Sequence, residues 1–276
     1  MRLPTDLQPD QQPARWDDHV RVYEAAFEPL TNAFARRALD HLRLRPGHRL
    51  IDIGAGSGGA ALIAAVRGAE VLAIDASARM VARIAERARA LTGGRLHALV
   101  MDGTALAVQD ASCDAALSVF GVVLFPNAGL GMREIARVLR PGGRVAVVTW
   151  TETERYELIA RLIAAIAEVR GPPPAPAVLP AQLRFREEPA LRALLAEAGL
   201  TVDEIVRLEE RWRLPSARWI ADHVAFAPGM AAMLDALGAD RSRVLTTFIA
   251  ALERDQGYGE ISLMAIAHAG IGQKPN

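Results

Sequence analysis

Apolar positions in this chain follow two periodicities. Over Arg49–Ile53, Glu70–Ile74, Leu96–Met101, Ala115–Phe120 and Arg144–Trp150 they form short, nearly continuous runs, the pattern of strands buried on both faces. Between these runs they recur every three to four residues, over Gly59–Arg67, Ala78–Leu91 and Gly131–Leu139, as on helices with one buried stripe. Ser77 is placed to cap the second of these helices, and Arg140-Pro141-Gly142-Gly143 stops the third. Strands alternating with helices predict an α/β fold, a parallel sheet covered on both faces.

The flanks read differently. Residues 1–14 are rich in Pro and Gln and are expected to be loosely ordered. Trp16–Leu42 is helical in pattern, with Trp16, Val20, Tyr23, Phe27 and Leu30 on one face. Pro29 divides it, and Thr31–Leu42 forms a second segment. After the fifth strand come a helix over Glu154–Arg170, a Pro-rich loop over Gly171–Pro180 too mobile or extended for a core, and a helix over Glu187–Ala198 closed by Gly199. Val202–Leu214 is strand-like, residues 216–254 are helical, and Glu260–Ala269 is a last strand. A strand, a helical insertion and a final strand predict an antiparallel hairpin ending the sheet. No internal repeat is visible.

Composition narrows the function classes. The chain has 276 residues, 51% of them hydrophobic, enough for one large domain or a domain with a cap. Net charge is +0, so bulk electrostatics gives no case for nucleic acid. The single cysteine, Cys113, excludes an intramolecular disulfide and reads as a buried, inert thiol in a reducing compartment. No stretch has signal-peptide character, and the longest apolar run, Ala115–Phe125, is too short to span a membrane. The expectation is a cytoplasmic protein with no membrane partner; a homodimer is compatible with it.

The candidate chemistry sits in Leu50-Ile51-Asp52-Ile53-Gly54-Ala55-Gly56-Ser57-Gly58-Gly59. A strand, a glycine turn and a helix N-terminus make a cofactor loop, since glycines let a ligand lie against the backbone and the helix offers unpaired N–H groups. Gly54, Gly56 and Gly59 also fit the dinucleotide fingerprint, with Asp75 about 20 residues on, which keeps an NAD(P)-dependent oxidoreductase as an alternative. Asp52 argues the other way: a carboxylate at the loop entrance repels a pyrophosphate and attracts a cation. Asp52, Asp75 and Asp102 fall at or near the ends of strands one, two and three, where ligands of open parallel sheets bind.

These residues resemble the motifs of class I methyltransferases dependent on S-adenosylmethionine (SAM). Asp52 to Gly58 resembles motif I, Asp75 motif II, Asp102-Gly103 motif III, and Cys113-Asp114-Ala115-Ala116-Leu117-Ser118 motif IV. Arg133-Glu134-Ile135-Ala136-Arg137-Val138-Leu139-Arg140-Pro141-Gly142-Gly143-Arg144 is similar to the segment before strand five in the ubiquinone/menaquinone-methyltransferase-like branch. The resemblance covers residues 45–152 well. It implies a Rossmann-like sheet of seven strands in order 3-2-1-4-5-7-6, the last antiparallel. It implies a helical lid over residues 1–45, a SAM-binding core over 46–152, and cap insertions with a C-terminal hairpin over 153–276. On this resemblance Asp75 accepts from the ribose hydroxyls, Asp102 from the adenine amine, and Asp52 lies near the methionine ammonium. Tyr23, Gly54, Ala55, Gly56, Gly58, Ala76, Met80, Gly103, Ser118 and Phe120 are the other cofactor positions it implies, and S-adenosylhomocysteine is the product. Many relatives carry paired histidines after strand four, where this chain has Val122-Val123.

Methyl transfer from a sulfonium needs alignment and exclusion of water; a base helps only when the acceptor must lose a proton. The candidate bases are His19, Tyr23 and His223. No His/Cys/carboxylate cluster suggests a metal, and no Ser-His-Asp arrangement is evident. The acceptor site is expected among Trp16, Phe27, Phe125, Trp150, Trp219, Phe226 and Met230, walls that suit a small apolar or aromatic molecule accepting on O, N or C. A catalytically silent SAM-binding protein is the remaining alternative, motivated by the missing histidines.

Overall fold

The computed structural model describes residues 7–172 and 178–276. Residues 1–6 and the centre of the Pro-rich loop, residues 173–177, lie outside the described residues. Two short helical turns, α1 (Pro13–Trp16) and α2 (Val20–Val22), lead into a π-helical stretch at Tyr23–Phe27 and then α3 (Glu28–His41). Pro29 sits in the first turn of α3, where its missing N–H costs nothing. The core follows as β1 (Arg49–Ile53), α4 (Gly59–Val66), β2 (Glu70–Asp75), α5 (Ala78–Ala88), β3 (Arg95–Val100), β4 (Cys113–Val119), α6 (Ala128–Val138) and β5 (Leu139–Trp150). Then come α7 (Glu157–Arg170), α8 (Glu188–Ala196), β6 (Thr201–Leu214), α9 (Ala217–His223), α10 (Pro228–Asp235), α11 (Arg241–Gln256) and β7 (Ile261–Gln273).

The seven strands form one sheet in the order β3-β2-β1-β4-β5-β7-β6. β1 pairs in parallel with β2 and β4, β2 with β3, and β4 with β5, whereas β7 runs antiparallel to β5 and β6. Side chains alternate between the two faces with the period of a strand: Val145 and Val147 enter one core, Ala146, Val148 and Trp150 the other. The chain runs from β1 out to β3 and then returns to place β4 beside β1. That reversal opens a crevice beyond the carboxyl ends of β1 and β4.

Two expectations change. The segment after residue 6 is ordered: the Gln8 side chain donates to Leu179 O and accepts from Ala181 N, and Asp10 accepts from Gly229 N at 2.6 Å. Polar residues that look like disorder in sequence are spent on cross-chain hydrogen bonds. The first helical region is not uniformly a lid. α3 buries Leu30, Phe34, Ala35, Ala38 and Leu39 against the sheet, so it is a fixed core helix. Glu28 anchors it from below, accepting from Ser57 Oγ at 2.5 Å and from both terminal nitrogens of Arg87.

Candidate active site

A cavity of about 1890 Å³ lies over the carboxyl ends of the strands, roofed by the N-terminal segment and the insertions after β5. Single-ligand pockets run to roughly 300–1,000 Å³, so this one has room for two small molecules. The loop after β1 forms one end. Gly54 has φ +70°, and a Cβ there would stand 2.8 Å from Gly121 Cα, so the ends of β1 and β4 approach as closely as they do only because it is glycine. Gly56 faces Tyr23, whose ring lies 3.5 Å from where a Cβ would be. Gly58 turns away from the cavity and packs under Ile84.

The three strand-end carboxylates sit in different surroundings. Asp75 ends β2, accepts from Gly56 N at 2.8 Å and Ser77 N at 2.9 Å, and lines the cavity beside Ala76. Burial pushes it up to about 6. Asp102 is exposed on the wall next to Gly103, its Oδ1 held by Thr104 N and Oγ1 at 2.8 Å each. Asp52 is buried behind Tyr23 in a small separate chamber that includes Ala55 and Thr31. Its Oδ2 has no partner among the described residues. Burial, and then the Asp75 charge, push Asp52 up to about 7. The orphaned oxygen fits a cofactor with a cationic amine lying along the loop, in the place that the Tyr23 ring takes over Gly56.

Aromatic side chains make much of the remaining wall. Phe120 stacks on Trp150 at 4.0 Å, and Trp150 on Tyr156 at 4.6 Å. Phe27 stacks on Phe226 at 4.3 Å. Trp16 meets Tyr23 edge-on at 5.9 Å, and Tyr23 meets Phe27 at 5.6 Å. Phe120 takes φ +59°, a backbone region that costs a bulky side chain energy, and its ring is held in the stack as a result. Met230 also lines the cavity, and Phe125 lines it beside Gly103, against which its ring packs.

Not every expected residue arrives there. His19 Nδ1 pairs with Arg15 O at 2.7 Å, and His19 does not line the cavity. His223 Nδ1 pairs with Trp219 O at 2.7 Å and its ring stacks on Trp219 at 4.2 Å; both lie on α9 away from the wall. No histidine among the described residues lines the cavity. Met80 and Ser118 are fully buried in the framework. Ser118 Oγ donates to Ile53 O at 2.7 Å and accepts from Val122 N at 2.9 Å, fastening the two strand ends that flank the crevice.

Several wall residues were missed by sequence reasoning. Tyr156, just before α7, and Ile159 and Ile163 on it line the cavity, a spacing visible in the sequence without its destination. Arg184 donates to the carbonyls of Val123, Phe125 and Pro126 and so ties the loop after β4 to the loop before α8. Burial lowers its guanidinium. Asp10 lines the roof. Among the described residues no group of three or more His, Cys, Asp or Glu is placed to hold a metal, and no helix is long and apolar enough to cross a membrane.

Comparison with known proteins adds an independent line. The sequence model of the family described as "Methyltransferase domain" matches residues 51–147. A demethylmenaquinone methyltransferase of Parafrankia sp. (strain EAN1pec) is 30% identical, over 83% of this chain and 98% of that protein. An uncharacterised protein of Mycobacterium tuberculosis (strain ATCC 25618 / H37Rv) is 32% identical, over 75% of this chain and 72% of its own length. The crystal structure of the [4+2]-cyclase SpnF superposes with a TM-score of 0.61 at 20% identity, covering 99% of this chain and 98% of that one, which is a likeness of fold.

Proposed function

The chain belongs to the SAM-dependent methyltransferases, and from that premise we propose that it methylates an O, N or C atom of a small, uncharged apolar or aromatic molecule. The observation that carries the acceptor class is the wall facing the glycine loop. It is built from the Phe120–Trp150–Tyr156 stack and the Phe27–Phe226 pair. Its charged residues come in both signs, with Asp10, Glu152, Glu154 and Glu197 against Arg133, Arg184 and Arg186, which favours a neutral ligand. Membership in the family displaces the nicotinamide alternative.

The roles of individual residues are part of the proposal. Asp75 takes the ribose hydroxyls, Asp102 the adenine amine, and Gly54 and Gly56 give the methionine portion a backbone to lie on. Asp52 holds the ammonium, which requires Tyr23 to swing from its place over Gly56. The cofactor supplies an electrophilic methyl group on a sulfonium. The protein positions it, lines the acceptor up behind the methyl with the aromatic wall, and keeps water out. Residues 7–27 act as the lid, residues 46–152 hold the cofactor, and the segments after 152 shape the acceptor side. The buried Cys113 thiol, pushed up by burial, suits a reducing, cytoplasmic setting. A screen of neutral aromatic acceptors with methyl-labelled SAM tests the reading. Label in a neutral aromatic product supports it; label appearing only in charged or protein acceptors overturns it.

A further inference from the structure

The insertion after β5 grips the loop after β4 through one side chain. Arg184 follows the short turn at Ala181–Leu183. Its guanidinium donates to Val123 O at 2.7 Å, to Phe125 O, to Pro126 O at 3.2 Å and to Ala181 O at 3.3 Å. No carboxylate pairs with it among the described residues, and burial lowers it. A partly buried guanidinium without a counter-ion depends on carbonyls, and its flat fork of N–H groups can reach several at once. Three of the four belong to the turn that carries Phe125.

The Phe125 ring sits in a slot between two glycines. A Cβ on Gly103 would stand 2.5 Å from Phe125 Cε2, and one on Gly131 would stand 2.7 Å from Phe125 Cδ2, closer than carbon atoms pack. Gly103 follows Asp102 just past β3, and Asp102, Gly103 and Phe125 all line the cavity. Gly131 lies on α6 and does not line it. The ring is therefore confined next to the residue that follows Asp102, while Arg184 holds its backbone.

We propose that Phe125 forms a wall of the adenine site and that Arg184 is its positioning residue, so that the insertion after β5 helps to set cofactor affinity. The inference rests on the reading above that Asp102 takes the adenine amine. A purine held there by its amine has its apolar rings beside the Gly103 wall, where an aromatic side chain packs on them and excludes water. Phe125 then serves the cofactor and not the acceptor, the role its sequence position suggested.

The full chain is titrated by calorimetry with S-adenosylhomocysteine and with 5′-methylthioadenosine, which keeps the adenine and ribose and lacks the amino acid. Phe125→Leu should weaken both ligands by the same factor, on the order of tenfold, through lost aromatic contact. Arg184→Met, which keeps an apolar stem and loses the donors, should weaken both to a similar extent. Arg184→Lys should not rescue them, since one ammonium cannot span these carbonyls. The double variant Phe125→Leu/Arg184→Met should bind no more weakly than Phe125→Leu alone, because the arginine acts through the ring. Gly131→Ala, which favours the helix but crowds the ring, should weaken both ligands without touching either. A purely structural arginine would lower the melting temperature and leave these affinities unchanged. Wild-type affinity in Phe125→Leu overturns the adenine wall, a result that does not depend on the Arg184 variants folding. Losses that multiply in the double variant overturn the action of Arg184 through Phe125. A wild type that binds neither ligand removes the cofactor reading itself. A wild type that binds both, with Asp102→Asn unchanged, removes the adenine placement and this proposal with it.

Discussion

Asp52 has an acid's least comfortable position, buried beside a second carboxylate with one oxygen unpartnered. Its folded pKa, about 7, lies above the unfolded value of about 4, so between these two pH values the native state holds a proton that the unfolded chain has released. Stability therefore falls as pH rises through that window and levels off above it. Asp75, pushed up to about 6, acts in the same sense. A cationic amine beside Asp52 favours the ionised carboxylate, so S-adenosylhomocysteine should bind more weakly as pH falls below about 7. The slope should approach about tenfold per pH unit, as one proton is linked to binding. Asp52→Asn should flatten that dependence, weaken binding at pH above the window, and raise the melting temperature there; calorimetry and thermal melts across pH check all three. Asp75→Ala should cost on the order of 1–3 kcal/mol of S-adenosylhomocysteine binding through lost charged hydrogen bonds. The loop and its acids were legible because strand, turn and carboxylate are neighbours in sequence. Asp10 was not: its defining contact, with Gly229, spans 219 residues.

At the scale of elements, the alternating runs located the core strands, though β5 begins at Leu139 and not at Arg144, and the hairpin expected of Val202–Leu214 and Glu260–Ala269 pairs over Thr201–Leu214 and Ile261–Gln273. Periodicity succeeds there because each strand buries its own pattern. It failed to distinguish lid from core in the first helical region, because both present one apolar face. α3 buries that face on the sheet and α4, and the Glu28–Arg87–Ser57 contacts pin its start to the glycine loop. The preceding stretch, Tyr23–Phe27, is π-helical, a form often found at functional sites, and it carries Tyr23, whose ring lies over Gly56. Hydrogen exchange should therefore find α3 protected with or without S-adenosylhomocysteine. Residues 7–27 should gain protection only with it. Equal protection of residues 7–27 in both states would contradict the lid. His19, in the turn between α1 and α2, and His223, at the end of α9, lie away from the cavity for a related reason: their apolar neighbours were legible, while the direction of each imidazole was set by a local carbonyl, Arg15 O or Trp219 O.

For the whole molecule, the fold, the glycine loop and the large cavity suit the proposed enzyme that works by alignment. Turnover is expected to be unchanged in the presence of a chelator, since no ligand cluster for a metal is formed among the described residues. Loss of activity that added magnesium restores would contradict this. The central claim is that the loop after β1 and the acids around it hold SAM and its product, with the rest of the cavity left for an acceptor. Calorimetric titration of the full chain with S-adenosylhomocysteine, with NADH titrated in parallel, tests it most directly. The account predicts one S-adenosylhomocysteine site per chain, weakened by Asp75→Ala and by lowering pH, and no heat from NADH; binding of NADH without S-adenosylhomocysteine would contradict it.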